Sequence, residues 1–411
     1  MKSSKQLLFV GALAVLAAGA FVIELFFPAS PVSEVIRVID SNYLGSALRL
    51  SVPIAFAALG GIFAEKSGVI NIGLEGLLIG AAFTGVAVAH WLTGTSGGSG
   101  SVVPGILFLV VLVVLTLGSL IALGLLGDDI QESAVQAGAV LLAVLVVVAL
   151  TMFLTPPGQT AVWLAFYAAI LSSVLLALLF AVVTIEFRAD QIIAGLAVWL
   201  IALGAAPFAS YIIWGQINSP SVATMTQWTV PGLVEIPLLG PVLFDANPTV
   251  FMLLVAAPLA WYVLKETSFG YWVRASGENP KALDTAGIDV RRVRYGAVLL
   301  SGFLSGIGGA GLSLGQVGQF IGGGATMVDG RGWIGITAYL FGNYNPLGAF
   351  GASFLFAALD ALQFRVQQLG YSLPPSLVQT IPYIAVIVVL ALVGRTRIPD
   401  AAGEHYESGE D

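Results

Sequence analysis

The residues best suited to chemistry in this chain are acids and amides set within long apolar runs. Asn71 and Glu75 lie four positions apart in EKSGVINIGLEG, residues 65–76, at the head of one such run. That spacing predicts that both side chains share one face of a helix. An ionised carboxylate is costly at membrane depth, and groups of this kind face a bundle interior or a water-filled cavity. Two readings of Glu75 follow: a residue of a translocation path or its inner gate, or a helix-start cap paired near the interface. Asp360 sits similarly deep in a late apolar run. It reads either as a pathway residue or as a hydrogen-bonding partner for a neighbouring helix.

Other chemistries find little support. There is no cysteine, which excludes thiol catalysis, disulfides and thiolate-ligated metals. With two histidines, His90 and His405, no metal site is expected. Gly97-Gly98-Ser99-Gly100 resembles the nucleophile motif of intramembrane serine proteases, but it lies in a Gly/Ser linker, residues 93–101, without a partner histidine. Gly306-Ile307-Gly308-Gly309-Ala310-Gly311 formally matches a dinucleotide-binding fingerprint, which requires a preceding strand. Here it lies within an apolar run, where Gly302 and Gly306, and again Gly311 and Gly315, are spaced for close helix packing. No GxxxxGK[ST] sequence occurs, so the chain holds no P-loop for ATP. No catalytic residue and no cofactor of this chain's own are expected.

The elements that carry these residues follow from composition. Of 411 residues, 58% are hydrophobic and only 9% charged, against roughly 25% charged in soluble domains. This excludes an ordinary soluble enzyme, a disordered chain and a nucleic-acid binder. The class is all-α, a polytopic transmembrane helix bundle. Twelve apolar runs approach the roughly 20 residues that cross a bilayer. They fall near 7–27, 46–63, 71–92, 103–126, 134–155, 160–185, 191–213, 249–265, 296–316, 332–342, 347–366 and 376–393, the run at 332–342 being short enough to be re-entrant. Lys2 and Lys5 precede a first run too long for a cleaved signal, so it reads as an uncleaved helix. With the N-terminus inside, every basic residue except Arg37, Arg49, Arg331 and Arg365 falls at an inner end or loop. The positive-inside rule therefore predicts that both termini are cytoplasmic.

Residues 1–45 then form a first membrane helix with an outer connector, 46–393 the main membrane domain, and 394–411 an acidic, solvated, frayed tail. Residues 214–248 are expected as an ordered outer loop. The densest charge lies in the cytoplasmic segment 266–294. Within it Asn279 suits an N-cap, Pro280 a first helical position and Gly287 a terminator. These predict a two-turn helix, Pro280 to Ala286, with Ala282, Leu283 and Ala286 as its small apolar face. So short a helix is marginal alone. It reads as a capped connector, or as a segment that docks onto something.

EKSGVINIGLEG at 65–76, ADQIIAGLAVWLIALG at 189–204, GYWVRASGENPKALDTAGIDV at 270–290 and RGWIGITAYLFGNYNPLGA at 331–349 together resemble permease subunits of ABC importers. The class is the branched-chain amino acid and simple-sugar one, nearest its nucleoside and simple-sugar branch. The likeness covers most of residues 46–393. It departs at about 127–160, where an added helix pair surrounds an acidic loop at Asp128, Asp129 and Glu132.

The resemblance implies that Glu278, Asn279, Pro280, Ala282, Leu283, Ala286 and Gly287 form a coupling segment for a separate cytoplasmic ATPase, which would bind the ATP. It also implies a second permease subunit, often a related but different one, and an extracytoplasmic substrate-binding protein. Asn71, Glu75 and Asp360 are the candidates for the substrate path. The protein is expected in the plasma membrane, in contact with lipid and not with nucleic acid. The substrates it implies are nucleosides, simple sugars and branched-chain amino acids, in that order. An ion-coupled secondary transporter is the alternative; it would use Glu75 and Asp360 but leaves the capped helix unexplained.

Overall fold

In the computed structural model, residues 40–94, 158–237, 239–368 and 397–406 are described. They form helices α1 (Ser41–Lys66), α2 (Leu74–Gly94), α3 (Thr160–Ala181), α4 (Gln191–Trp214), α5 (Leu239–Leu243), α6 (Pro248–Glu266), α7 (Ser268–Glu278), α8 (Pro280–Thr285), α9 (Val290–Ala310), α10 (Arg331–Phe341) and α11 (Pro346–Gln368). Wider π-helical turns extend α3 through Val182–Glu186 and α9 through Gly311–Val317.

Among the described residues, seven helices are long and apolar enough to cross a membrane: α1, α2, α3, α4, α6, α9 and α11. Each coincides with an apolar run expected from the sequence. The runs at 7–27, 103–126, 134–155 and 376–393 lie outside the described residues, as do most of the Gly/Ser linker and the acidic loop at Asp128. The fold is a helical membrane bundle.

Burial orders the layers. Helix α1 is apolar on every face and almost wholly buried, which places it at the centre. Helices α9, α10 and α11 pack around it, and α9 also meets α2 and α3. Glycine sets how closely α9 approaches. A side chain on Gly306 would strike the backbone of Ile170 on α3, and one on Gly309 the Leu78 carbonyl on α2. The glycine pattern therefore serves packing on several sides of α9, without a strand before it. Helix α4 lies at the periphery, with Ile193, Phe208 and Ile212 exposed.

The described residues of the connection 214–248 are ordered, as expected. It contains a two-residue antiparallel strand pair, Trp228–Thr229 with Asp245–Ala246. Its Ser219 and Met225 amides donate to the Phe320 and Leu314 carbonyls, both at 2.9 Å.

Four of the described helices, α5, α7, α8 and α10, are too short to span. Helix α8 is six residues long. Helix α10 has 11 residues, about 16 Å of rise against a hydrocarbon core of about 30 Å. It begins deep in the bundle. After α1 the chain turns at Ser67 and Gly68 and runs back in extended form to Asn71, whose Nδ2 donates to Ser301 Oγ at 3.2 Å. Ser301 lies eleven residues along α9 from Val290, again about 16 Å. Helices α2 and α10 start beside one another in the interior of the bundle.

Candidate functional site

Glu75 occupies the second position of α2 and is 2% exposed. Its Oε1 accepts from the Gly330 amide at 2.8 Å and its Oε2 from the Gly332 amide at 2.6 Å. The first amides of a helix have no partner within the helix. The residue preceding α10 is Gly330, which has no side chain to offer them. Glu75 therefore caps α10 from another helix, with its charge at the positive end of the α10 dipole. The approach is close enough that any side chain on Gly332 would collide with the Glu75 backbone.

Asn71 is not on the helical face that its spacing predicts. The Asn71 Oδ1 accepts from the Gly73 amide at 3.0 Å, forming a local turn that delays the helix until Leu74. Asparagine side chains compete with helix formation in this way. Its other end turns to Ser301 on α9 while Glu75 turns to α10.

Asp360 on α11 enters the same neighbourhood through Arg331, whose Nη2 lies 4.0 Å from Asp360 Oδ2. The Arg331 Nη1 also donates to the Met327 and Val328 carbonyls at 3.2 and 3.0 Å. Arg331, placed outside by charge counting, is thus largely enclosed, its side chain 13% exposed. Exposed Asp329, with a left-handed φ of 46°, completes the group. The sequence reading missed Arg331 and Asp329. Their signal was Asp-Gly-Arg-Gly at 329–332, a helix start with no capping side chain at the cap position.

The second site lies at the α8 end. Asn279 Oδ1 accepts from the Ala282 amide at 3.1 Å, Pro280 is the first helical residue, and Gly287 follows with φ +80°. The predicted local helix is present, ending at Thr285. Its apolar face is not the predicted one. Leu283 is 4% exposed and joins the protein's own core, while Ala282 and Ala286 point outward with Lys281. Leu283 is therefore not the side chain that a docking partner would meet. Glu278 and Asn279 are also exposed.

Helix α7 seats this unit on the bundle. The Ser276 hydroxyl donates to the Ser67 carbonyl at 2.8 Å, and Gly277 lies so close to Lys66 that no side chain fits. Exposed Tyr271 carries the Arg274 guanidinium 4.6 Å from its ring centre.

The tail is not frayed where it is described. The Ala401 amide donates to the Gly277 carbonyl at 2.8 Å and the Gly403 amide to the Gly68 carbonyl at 2.9 Å. Ala401 is 4% exposed. Its acidic composition pointed to solvation, but small residues at 401–403 let the backbone itself pair with the bundle. The Tyr406 hydroxyl donates to Asp284 Oδ2 at 2.9 Å. Desolvation, and then the Asp284 carboxylate, push that hydroxyl up from its ordinary value, so it remains a donor at neutral pH.

Residues 131–390 match the family described as branched-chain amino acid transport system / permease component. A guanosine ABC transporter permease of Bacillus subtilis is 30% identical over 92% of this chain and 99% of its own length. A nucleoside ABC transporter permease of Lactococcus lactis is 32% identical over 88% and 96% respectively. A putative glucose ABC transporter permease of Haloferax volcanii is 30% identical over 70% and 93%. No solved structure is significantly similar. The family match and the extent of these similarities, on a bundle of apolar helices, mean that this multi-pass membrane protein belongs to the branched-chain amino acid transport system permease family.

Proposed function

We propose that this chain is the membrane subunit of an ATP-driven importer of nucleosides, with simple sugars the second substrate class. The substrate order rests on what the nearly full-length relatives are named for. The coupling mechanism rests on one observation: α8 is a capped helix with an exposed face, held with α7 between two apolar helices, α6 and α9. The chain carries no P-loop, so energy from ATP must enter through a protein contact. Ala282, Ala286 and Lys281 are the surface offered to a cytoplasmic ATPase, and that partner binds the nucleotide. A related second permease completes the pathway, and an extracytoplasmic binding protein delivers the substrate. The chain has about twelve membrane segments with both termini inside, α10 and the stretch leading to it from α9 together making one crossing, which puts α7, α8 and the tail in the cytoplasm. Glu75, Asn71 and Asp360 lie along the substrate path, Glu75 acting through the half-length helix α10.

The test is Ala282→Asp. Ala282 is exposed, so the variant is expected to fold and insert normally. A charge in the docked face should reduce copurification of the ATPase by the equivalent of about 1–4 kcal/mol, with ATP-dependent uptake falling in parallel. A full complement of ATPase and normal uptake would defeat the coupling assignment. Uptake that persists after ATP depletion at a constant ion gradient would establish the ion-coupled alternative instead.

A further inference from the structure

Residues 397–406 thread across the α8 end and bond to each element that meets there. The Arg397 amide donates to Asn343 Oδ1 at 3.0 Å, in the turn between α10 and α11. The Ala401 and Gly403 amides reach α7 and the α1–α2 turn, as described above. The Glu404 carbonyl accepts from Arg294 Nη1 on α9 at 2.7 Å. Tyr406 ends the path on Asp284 of α8.

Two features make this more than a tail resting on a surface. First, Arg294 is 4% exposed, and its Nε and Nη2 have no hydrogen-bond partner among the described residues. A buried guanidinium is tolerated only where something bonds to it, and the tail backbone supplies that bond. Secondly, α8 is weakly tied by its own chain. It joins α7 through extended Asn279, with φ −154° and ψ 87°, and joins α9 through left-handed Gly287. Both joints are non-helical, so a push on α8 could be absorbed by rotation there. Tyr406 lines a cleft of about 370 Å³ together with Asp284, Ile288, Asp289 and Arg291. Its bond to Asp284 adds a tie on α8 beside the buried Leu283.

We propose that residues 397–406 are a strap that makes α8 move as one body with α1, α7 and α9, with Tyr406 and Arg294 as its positioning residues. The proposal rests on the reading of α8 as the ATPase contact. The strap does not bind ATP or substrate. It sets how much of the displacement of α8 reaches the membrane helices.

The experiment reconstitutes the complete transporter, with its ATPase and binding protein, in vesicles and measures ATP hydrolysed per substrate molecule imported. Tyr406→Phe removes one hydroxyl and leaves the ring. Native recovery of ATPase is expected, with the ATP-to-substrate ratio raised between about 3-fold and about 10-fold, the range one hydrogen bond supports. A purely structural role would lower both rates together and leave the ratio unchanged. Asp284→Ala, which removes the acceptor, should raise the ratio similarly, and the double variant no further. A native ratio in both Tyr406→Phe and Asp284→Ala overturns the strap. That result, with ATPase still bound to the native chain, leaves the importer reading standing; absence of ATPase from the native chain removes both.

Discussion

At Glu75 a single side chain does two jobs that sequence reading treats as alternatives. It caps a helix, and through that cap it fixes where α10 begins within the bundle. Glu75→Gln keeps the shape but offers one acceptor oxygen in place of two, so one of the Gly330 and Gly332 amides loses its partner. A buried unpaired group costs about 1–3 kcal/mol. Slower uptake with assembly intact is expected, and unchanged uptake kinetics would remove Glu75 from the mechanism. The residue was legible because a carboxylate in an apolar run stands out. Its partner was not, because the amides it bonds belong to glycines more than 250 residues away in sequence, and backbone donors leave no residue-type signature. Asn71 misled for the opposite reason. Its spacing from Glu75 suggested a shared helical face, but its own side chain bonds Gly73 and holds the helix back.

Helix α8 shows how far an element can be read from sequence. Its start, its first residue and its end were encoded locally in Asn279, Pro280 and Gly287, and all three are in place. Which side faces outward was not encoded locally. Six residues give too few repeats to define a face, and the burial of Leu283 depends on neighbours contributed by distant segments. A contrast between two variants follows. Leu283→Ala is expected to destabilise the folded chain by about 2–4 kcal/mol, seen as a lower melting temperature in detergent. Ala282→Asp, one residue earlier, should leave that temperature unchanged and act only on ATPase binding. Equal effects of the two on melting would mean that the helix is turned differently.

For the molecule as a whole, apolar runs carried most of the architecture. Seven runs appear as full-length helices, and the short run at 332–342 appears as α10. The order in which they pack could not be read, because it depends on which helices carry small residues against which neighbours, as Gly306 and Gly309 do. The tail was misread for a related reason: net charge describes side chains, while its attachment runs through backbone amides. Orientation has a direct test, since the chain has no cysteine. A Ser99→Cys variant should react with an impermeant thiol reagent added outside intact cells. Reaction from the cytoplasmic side alone would reverse the proposed topology.

The cap on α10 also bears on how the chain is made. Glu75 leaves the ribosome long before Gly330 and Gly332, its partners in the finished fold. Through most of synthesis, then, its carboxyl group must reside in or beside the bilayer without the bonds it will finally hold, a placement that costs a few kcal/mol. Insertion of α2 is consequently provisional until the last fifth of the chain arrives. A nascent chain halted before that point displays an unsatisfied acid within its membrane region, a mark by which quality-control proteases could distinguish an unfinished subunit from a finished one.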